Sequence, residues 1–242
     1  MRNNVTTLGL DGCKAGWITW SCTNGANWQC RLWKNVHEVI SAIPHFSLML
    51  IDIPIGLPDS TPRTCDQEAR KLLTRVRSSS VFPVPTRPAI YASTYEEACL
   101  ANQALTGKKI SKQSWFISPK IREVDELLIQ SPAYQDKIRE AHPEVVFLGL
   151  AGGIPMHHSK KILEGSQERI QVMEIHLPGA KNLIQHARKQ FLKKEVATDD
   201  LIDALALAIS ANMQPHLVSL PPTPKYDAQG LRKEIVYPKL KK

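Results

Sequence analysis

The 242-residue sequence predicts an α/β fold: a mixed sheet, built from a three-strand antiparallel meander plus parallel strands, flanked by helices and carrying a helical insertion. Three observations carry that prediction. Strand-like runs lie on both sides of the Asn24-Gly25 turn signal. A helical spacing leads into the continuous apolar run Leu48-Met49-Leu50-Ile51. The stretch from about 58 to 136 is poor in strand signals but rich in helical pattern and proline. At 43% hydrophobic and 22% charged residues the chain has the means to bury a large core, which excludes a disordered tail.

Val5 to Asp11 alternates weakly and ends in Asp11-Gly12, a first strand. Gly16 to Cys22 has the β-branched and aromatic content of a second. Beyond Asn24-Gly25, Trp28, Cys30 and Leu32 alternate with polar residues as a third strand, antiparallel to the second. Val36, Val39, Ile40 and Ile43 mark a helix that Pro44 ends. Leu48 to Asp52 suits a strand buried on both faces, and parallel pairing with the first strand is its natural closure. Helical stretches are expected at Cys65–Leu73, Ala89–Leu105 and Ser118–Leu128 in the insertion, then a fifth strand at Lys137–Ala141. His142-Pro143-Glu144 opens a short helix, because proline suits a first helical position. Lys160–Glu174 and Gly179–Lys194 read as helices, and Thr198-Asp199-Asp200 opens a final one reaching about Ala211. Pro-Pro-Thr-Pro at 221 to 224 reads as a linker and Glu234 to Tyr237 as a strand. The expected organisation is one domain over 1–242, with the insertion at about 58–136 inside it.

The carboxylates are the chemistry-bearing residues. Asp11 and Asp52 end two strands which, if parallel neighbours, deliver both side chains to one end of the sheet, where α/β folds place their sites. For either one alone, a turn or strand-end cap is the commoner role. Two adjacent carboxylates repel unless a proton or a cation intervenes, and Mg²⁺ or Mn²⁺ is the hard ion such oxygens bind. Asp200 and Asp203 are three residues apart on a helix otherwise apolar almost all round. Asp199 and Asp200 suit the first turn for the sake of the helix dipole, whereas Asp203 lies deeper, where an ionised carboxylate needs a partner. Glu144 adds a fifth carboxylate if its helix follows a strand parallel to that of Asp52.

These motifs resemble the ribonuclease H-like fold, especially its Holliday-junction-resolvase branch. The segments Gly9 to Trp17, Ile51 to Pro58, Ser80 to Pro83, Pro119 to Asp125, Glu140 to Glu144 and Asp200 to Ala206 are similar, in order, to a bacterial and archaeal family of predicted ribonuclease H-like nucleases, domain of unknown function 429. The resemblance runs on to Glu234-Ile235-Val236-Tyr237-Pro238. It implies the fold and an acidic site at Asp11, Asp52, Glu144, Asp200 and Asp203. Fold alone does not fix function. Lys120, Glu123 and Asp125 match a further motif of that family, for which a salt-bridged helix start is the plain role.

The leading expectation is a nuclease that hydrolyses phosphodiesters with two Mg²⁺ or Mn²⁺ ions, Asp11 bridging them and Asp52 and Asp203 completing the ligand set. Asp200 or Glu144 would ligate or position water, and Arg75, Arg77, Arg87 and Lys120 would contact phosphates. Two other classes compete. A nucleotide-binding phosphotransferase would share the sheet order, but one domain copy and Gly9-x-x-Gly12-x-x-x-Gly16 lack its second glycine-rich loop. A non-catalytic nucleic-acid or protein binding module would show salt-sensitive, metal-independent binding without turnover. The net charge of +8 favours a polyanionic partner. It is unevenly spread: residues 1–60 carry 4 basic and 4 acidic residues, residues 61–140 carry 13 and 9. The absence of a signal-peptide pattern and of any apolar run of membrane-spanning length suggests a cytoplasmic protein without a membrane. Five widely spaced cysteines without a C-x-x-C pair suggest reduced thiols.

Overall fold

A computed structural model describes residues 5–239. In chain order these form β1 (Thr6–Cys13), β2 (Gly16–Thr23), β3 (Asn27–Trp33), α1 (Val36–Ala42), β4 (Leu48–Ile51), α2 (Thr64–Arg77), α3 (Arg87–Ile90), α4 (Tyr95–Thr106), α5 (Lys112–Gln130), β5 (Ile138–Glu140), α6 (Pro143–Leu150), α7 (Leu163–His176), α8 (Ala180–Gln190), α9 (Thr198–Asn212), β6 (Leu217–Tyr226) and β7 (Arg232–Pro238). The chain divides into two compact units. Among the described residues one holds 5–52, 137–218 and 236–239, and the other holds 53–136 and 219–235.

The first unit is built on a five-stranded mixed sheet in the order β3-β2-β1-β4-β5. Strands β1, β2 and β3 are the antiparallel meander, while β4 pairs in parallel with both β1 and β5. Asn35 starts α1 by accepting the Glu38 amide, and the helix carries the chain across to β4. All four residues of β4 are buried, as its uninterrupted apolar sequence requires. Helix α9 is buried along nearly its whole length, which explains why it is apolar almost all round.

Gly9 brings α9 onto β1. A Cβ at residue 9 would lie 2.2 Å from the Ala208 nitrogen and 2.3 Å from the Ala204 oxygen, so the helix backbone rests directly on the strand. The Trp20 indole donates a buried hydrogen bond of 3.0 Å to the Leu201 carbonyl, fixing the first turns of α9 over β2. Together these contacts set the position of Asp203 relative to the end of β1.

The second unit contains α2 to α5, with Ala89, Ala98, Cys99 and Ile110 forming a small buried cluster. Two expectations change here. The single helical stretch at Ala89–Leu105 is two helices, because Thr94 accepts the Glu97 amide while the Glu97 carboxylate takes the Thr94 amide, a reciprocal cap that starts α4 afresh. Helix α5 begins at Lys112 under a Ser111 cap, so Pro119, which looks like a first-turn proline, lies in its interior.

Two more expectations change elsewhere. The Pro-Pro-Thr-Pro run is no linker but part of β6, which pairs with β7 in a two-stranded sheet. Each strand of such a ribbon has an unpaired edge, where a residue without an N–H costs no ladder bond. Helix α7 starts at Leu163, leaving Lys160 and Lys161 in the preceding loop. None of the five cysteines is in a disulfide. No helix among the described residues is long and apolar enough to cross a membrane.

Candidate functional site

Parallel register places the first two carboxylates. Leu10 of β1 lies opposite Ile51 of β4, and the next amide, that of Asp52, donates to the Leu10 carbonyl at 3.0 Å. Asp11 does not end its strand, because β1 runs on to Cys13 through its antiparallel pairing with β2, where Asp11 lies opposite Ile18. The parallel pairing of β1 with β4 does stop at Leu10 and Ile51, and Asp11 and Asp52 are the next residues in that register. Ile51 lies opposite Glu140 of β5, and two residues beyond β5 the chain turns into α6, with Glu144 in its first turn. Asp203 reaches the same region from the second turn of α9, itself set down on β1 at Gly9.

Electrostatics show the convergence. Burial pushes the Asp11 carboxyl well above the ordinary aspartate range, and the charges of Asp52, Asp203 and Asp200 push it further, against the attraction of Lys160. Burial likewise raises Asp52 to about 7; Lys160 opposes the rise, while Asp203, Glu144 and Asp200 add to it. Asp203 is fully buried. Its Oδ2 accepts from the Lys160 ammonium at 2.5 Å, and its Oδ1 has no hydrogen-bond partner among the described residues.

Lys160 is the residue that sequence reasoning missed. Burial works against its ammonium, yet the carboxylates of Asp203, Asp11 and Asp52 outweigh burial and hold its pKa above the usual lysine value. It also lies 4.0 Å from Asp199 Oδ2, whose nearer cation is Lys161 at 2.6 Å. A lysine in a loop leaves no periodic trace, and its only sequence signal is that Lys160-Lys161 precedes an apolar pair.

The remaining acidic residues have identifiable structural partners. Asp200 accepts the Ala197 amide at 2.8 Å and so caps α9, the role its first-turn position suggests. Glu144 Oε1 accepts from Arg169 Nη2 at 2.5 Å, both residues being buried. The same guanidinium donates through Nη1 to the carbonyls of His158 and Gly165, while the amides of His157 and His158 donate to the Glu168 carboxylate. The loop that carries Lys160 is thereby pinned to α7, and one guanidinium connects it to Glu144.

The basic residues expected at phosphates all fall in the second unit. Arg75 is exposed and Arg77 half-buried at the end of α2, beyond a kink at Thr74, and Lys120 is half-buried on α5. The charge of Arg87 is engaged inside that unit: it donates to Asp125 at 3.0 and 2.8 Å and to Asp227 Oδ2 at 2.6 Å. Asp125 also accepts from the Tyr91 hydroxyl, which gives one member of the Lys120, Glu123, Asp125 motif a structural partner set.

Among the described residues no group of three or more His, Cys, Asp or Glu side chains is arranged to hold a metal ion. The donors present do fit a hard divalent cation in kind. Asp11, Asp52 and Asp203 offer only carboxylate oxygens, and one of those oxygens is buried without a partner. Comparison with known proteins gives one match: the family model described as "Protein of unknown function (DUF429)" covers residues 9–225. No curated protein and no solved structure matches the chain.

Proposed function

The chain belongs to the DUF429 family, whose description assigns no activity, and from its carboxylate geometry we propose a metal-dependent nuclease on a ribonuclease H-like fold. The observation that carries this reading is the buried Oδ1 of Asp203, unpartnered among the described residues, beside Asp11 and Asp52, whose pKa values are raised by burial first and by neighbouring carboxylates in addition. The sheet order supports the fold assignment: an antiparallel meander extended by parallel β4 and β5, with the late helix α9 against β1.

Asp11, Asp52 and Asp203 would hold Mg²⁺ or Mn²⁺. When bound, such ions lower the pKa of water and stabilise charge building on phosphoryl oxygens. The chain's own residues do the rest. Burial of Asp11 and Asp203 limits screening by bulk water, so charge interactions there are stronger than between exposed groups. The cap made by Asp200 and the Gly9 contact hold Asp203 at a fixed depth. Lys160 supplies the positive charge that acts on Asp11, Asp52 and Asp203, while Arg169 pairs with Glu144.

The test is cleavage of DNA, RNA, hybrid and branched substrates by purified protein with Mn²⁺ or Mg²⁺. Turnover of at least one of these is expected, with Asp11→Asn and Asp203→Asn each losing about 100-fold or more, because neutralising a metal carboxylate removes electrostatic stabilisation of the transition state. Absence of cleavage on every substrate, or full activity in Asp11→Asn, would sink the assignment.

A further inference from the structure

The carboxylate site already contains a cation, and it is covalently part of the chain. We infer that Lys160 is a built-in competitor of the divalent ion: its ammonium neutralises Asp203, Asp11 and Asp52 until a metal displaces it. This rests on the metal-site reading above and concerns how that site is occupied.

Four observations lead to it. Lys160 Nζ is 2.5 Å from Asp203 Oδ2 and 4.0 Å from Asp199 Oδ2, and no other lysine or arginine forms an ion pair with Asp203 among the described residues. The carboxylates form no cage of three or more ligands in this state, so the lysine-bound arrangement and a metal-bound one are different arrangements of the same side chains. Asp203 keeps its second oxygen unpartnered, which leaves the buried carboxylate half satisfied by a single ammonium. Finally, the backbone under Lys160 is anchored while its side chain is not enclosed. The amides of His157 and His158 are held by Glu168, the His158 carbonyl by Arg169, and a Cβ on Gly165 would meet the Ser159 carbonyl at 1.9 Å. The Lys160 side chain remains 32% exposed. A four-carbon stem on a fixed backbone with a path to solvent can withdraw without unfolding anything.

The consequence for affinity follows from populations. A site that is competent only while its lysine is withdrawn binds metal more weakly by the fraction of time it is competent. Binding must also be reciprocal: metal that expels the ammonium leaves Lys160 exposed in direct proportion to occupancy. The expelled ammonium remains on its tether beside the site, where it can meet an anionic substrate.

Two measurements on the full chain decide the matter, both using Mn²⁺ alone. In calorimetric titration, Lys160→Met is expected to bind Mn²⁺ about tenfold or more tightly than wild type. In wild-type protein, acylation of Lys160 by an amine-reactive reagent, read by mass spectrometry, is expected to accelerate several-fold on Mn²⁺ addition, while exposed Lys109 labels at a constant rate. Labelling uses the native chain, so it decides even if the variant misfolds, and it separates displacement from a mere change in local charge. If Mn²⁺ binds wild type but leaves Lys160 labelling unchanged, or a folded Lys160→Met binds it no tighter, the competitor role is overturned and the metal site stands. If Mn²⁺ binds neither protein in a manner that Asp203→Asn weakens, the metal reading falls with it.

Discussion

Individual carboxylates in this protein face opposite electrostatic demands, and pH separates them. Burial lifts Asp52 to about 7, from about 3.9 in an unfolded chain. Between those values the folded state binds the extra proton, so stability attributable to Asp52 is full below about pH 4 and is lost as pH rises through about 7. Metal-free Asp52→Asn should therefore gain on wild type in urea midpoint as pH is raised from 4 to 7.5. A gap that stays constant across that range would mean the carboxyl is not strained by burial. Asp200 is different: it caps α9, so Asp200→Ala should cost about 1 kcal/mol in urea unfolding, the usual value of a lost N-terminal cap. The candidate acids Asp11, Asp52 and Asp203 were legible in the sequence because a carboxylate closing an apolar run or set in an apolar helix is conspicuous, although β1 runs on past Asp11 to Cys13. Lys160 was not, since a loop residue is placed by tertiary hydrogen bonds, here those of Glu168 and Arg169, that leave no spacing to read.

At the level of elements, the first unit follows local sequence closely and departs where a tertiary contact decides. The meander and the apolar β4 are dictated by alternation, a turn dipeptide and uninterrupted hydrophobicity. By contrast β6 carries three prolines and looks like a linker until its pairing with β7 is known. The seat of α9 on β1 also depends on one residue whose role shows only in three dimensions. Gly9→Ala would press a methyl group into the backbone of Ala204 and Ala208, neither of which can yield as a side chain could. Overpacking of this kind costs about 2 kcal/mol or more. The variant is expected to show a lower thermal midpoint and, because α9 carries Asp203, weaker Mn²⁺ binding. A Gly9→Ala protein with wild-type values of both would mean that α9 is held by something other than this contact.

On the scale of the whole chain, the net charge of +8 does not say which basic residues can meet a partner, because some between residues 61 and 140 are committed to internal ion pairs. Arg87 is the clearest case: its guanidinium joins Asp125 to Asp227, so it ties residues 219–235 into the unit formed by 53–136. That return of the chain was invisible in the sequence, where the helical insertion ends near 136 and Asp227 is one acid in a polar turn. The side chain of Asp227 is fully buried; it accepts from Arg87 and from the amides of Leu57, Gln229 and Leu231. Burial alone would raise its pKa, but Arg87 and the Leu231 and Leu57 amides outweigh burial and hold it below the usual aspartate value. A depressed carboxyl contributes stability that is complete above the unfolded value of about 3.9 and is lost as pH falls through the folded one. Asp227→Asn should therefore be about 2 kcal/mol less stable than wild type at neutral pH, the scale of a hydrogen bond to a charged group. The deficit should persist down to about pH 4 and close below it, as wild-type Asp227 takes up its proton. Urea midpoints of the two proteins between pH 2.5 and 7 measure it directly. A deficit that survives at pH 2.5 would assign the role of Asp227 to neutral hydrogen bonding and would detach Arg87 from the stability of this unit.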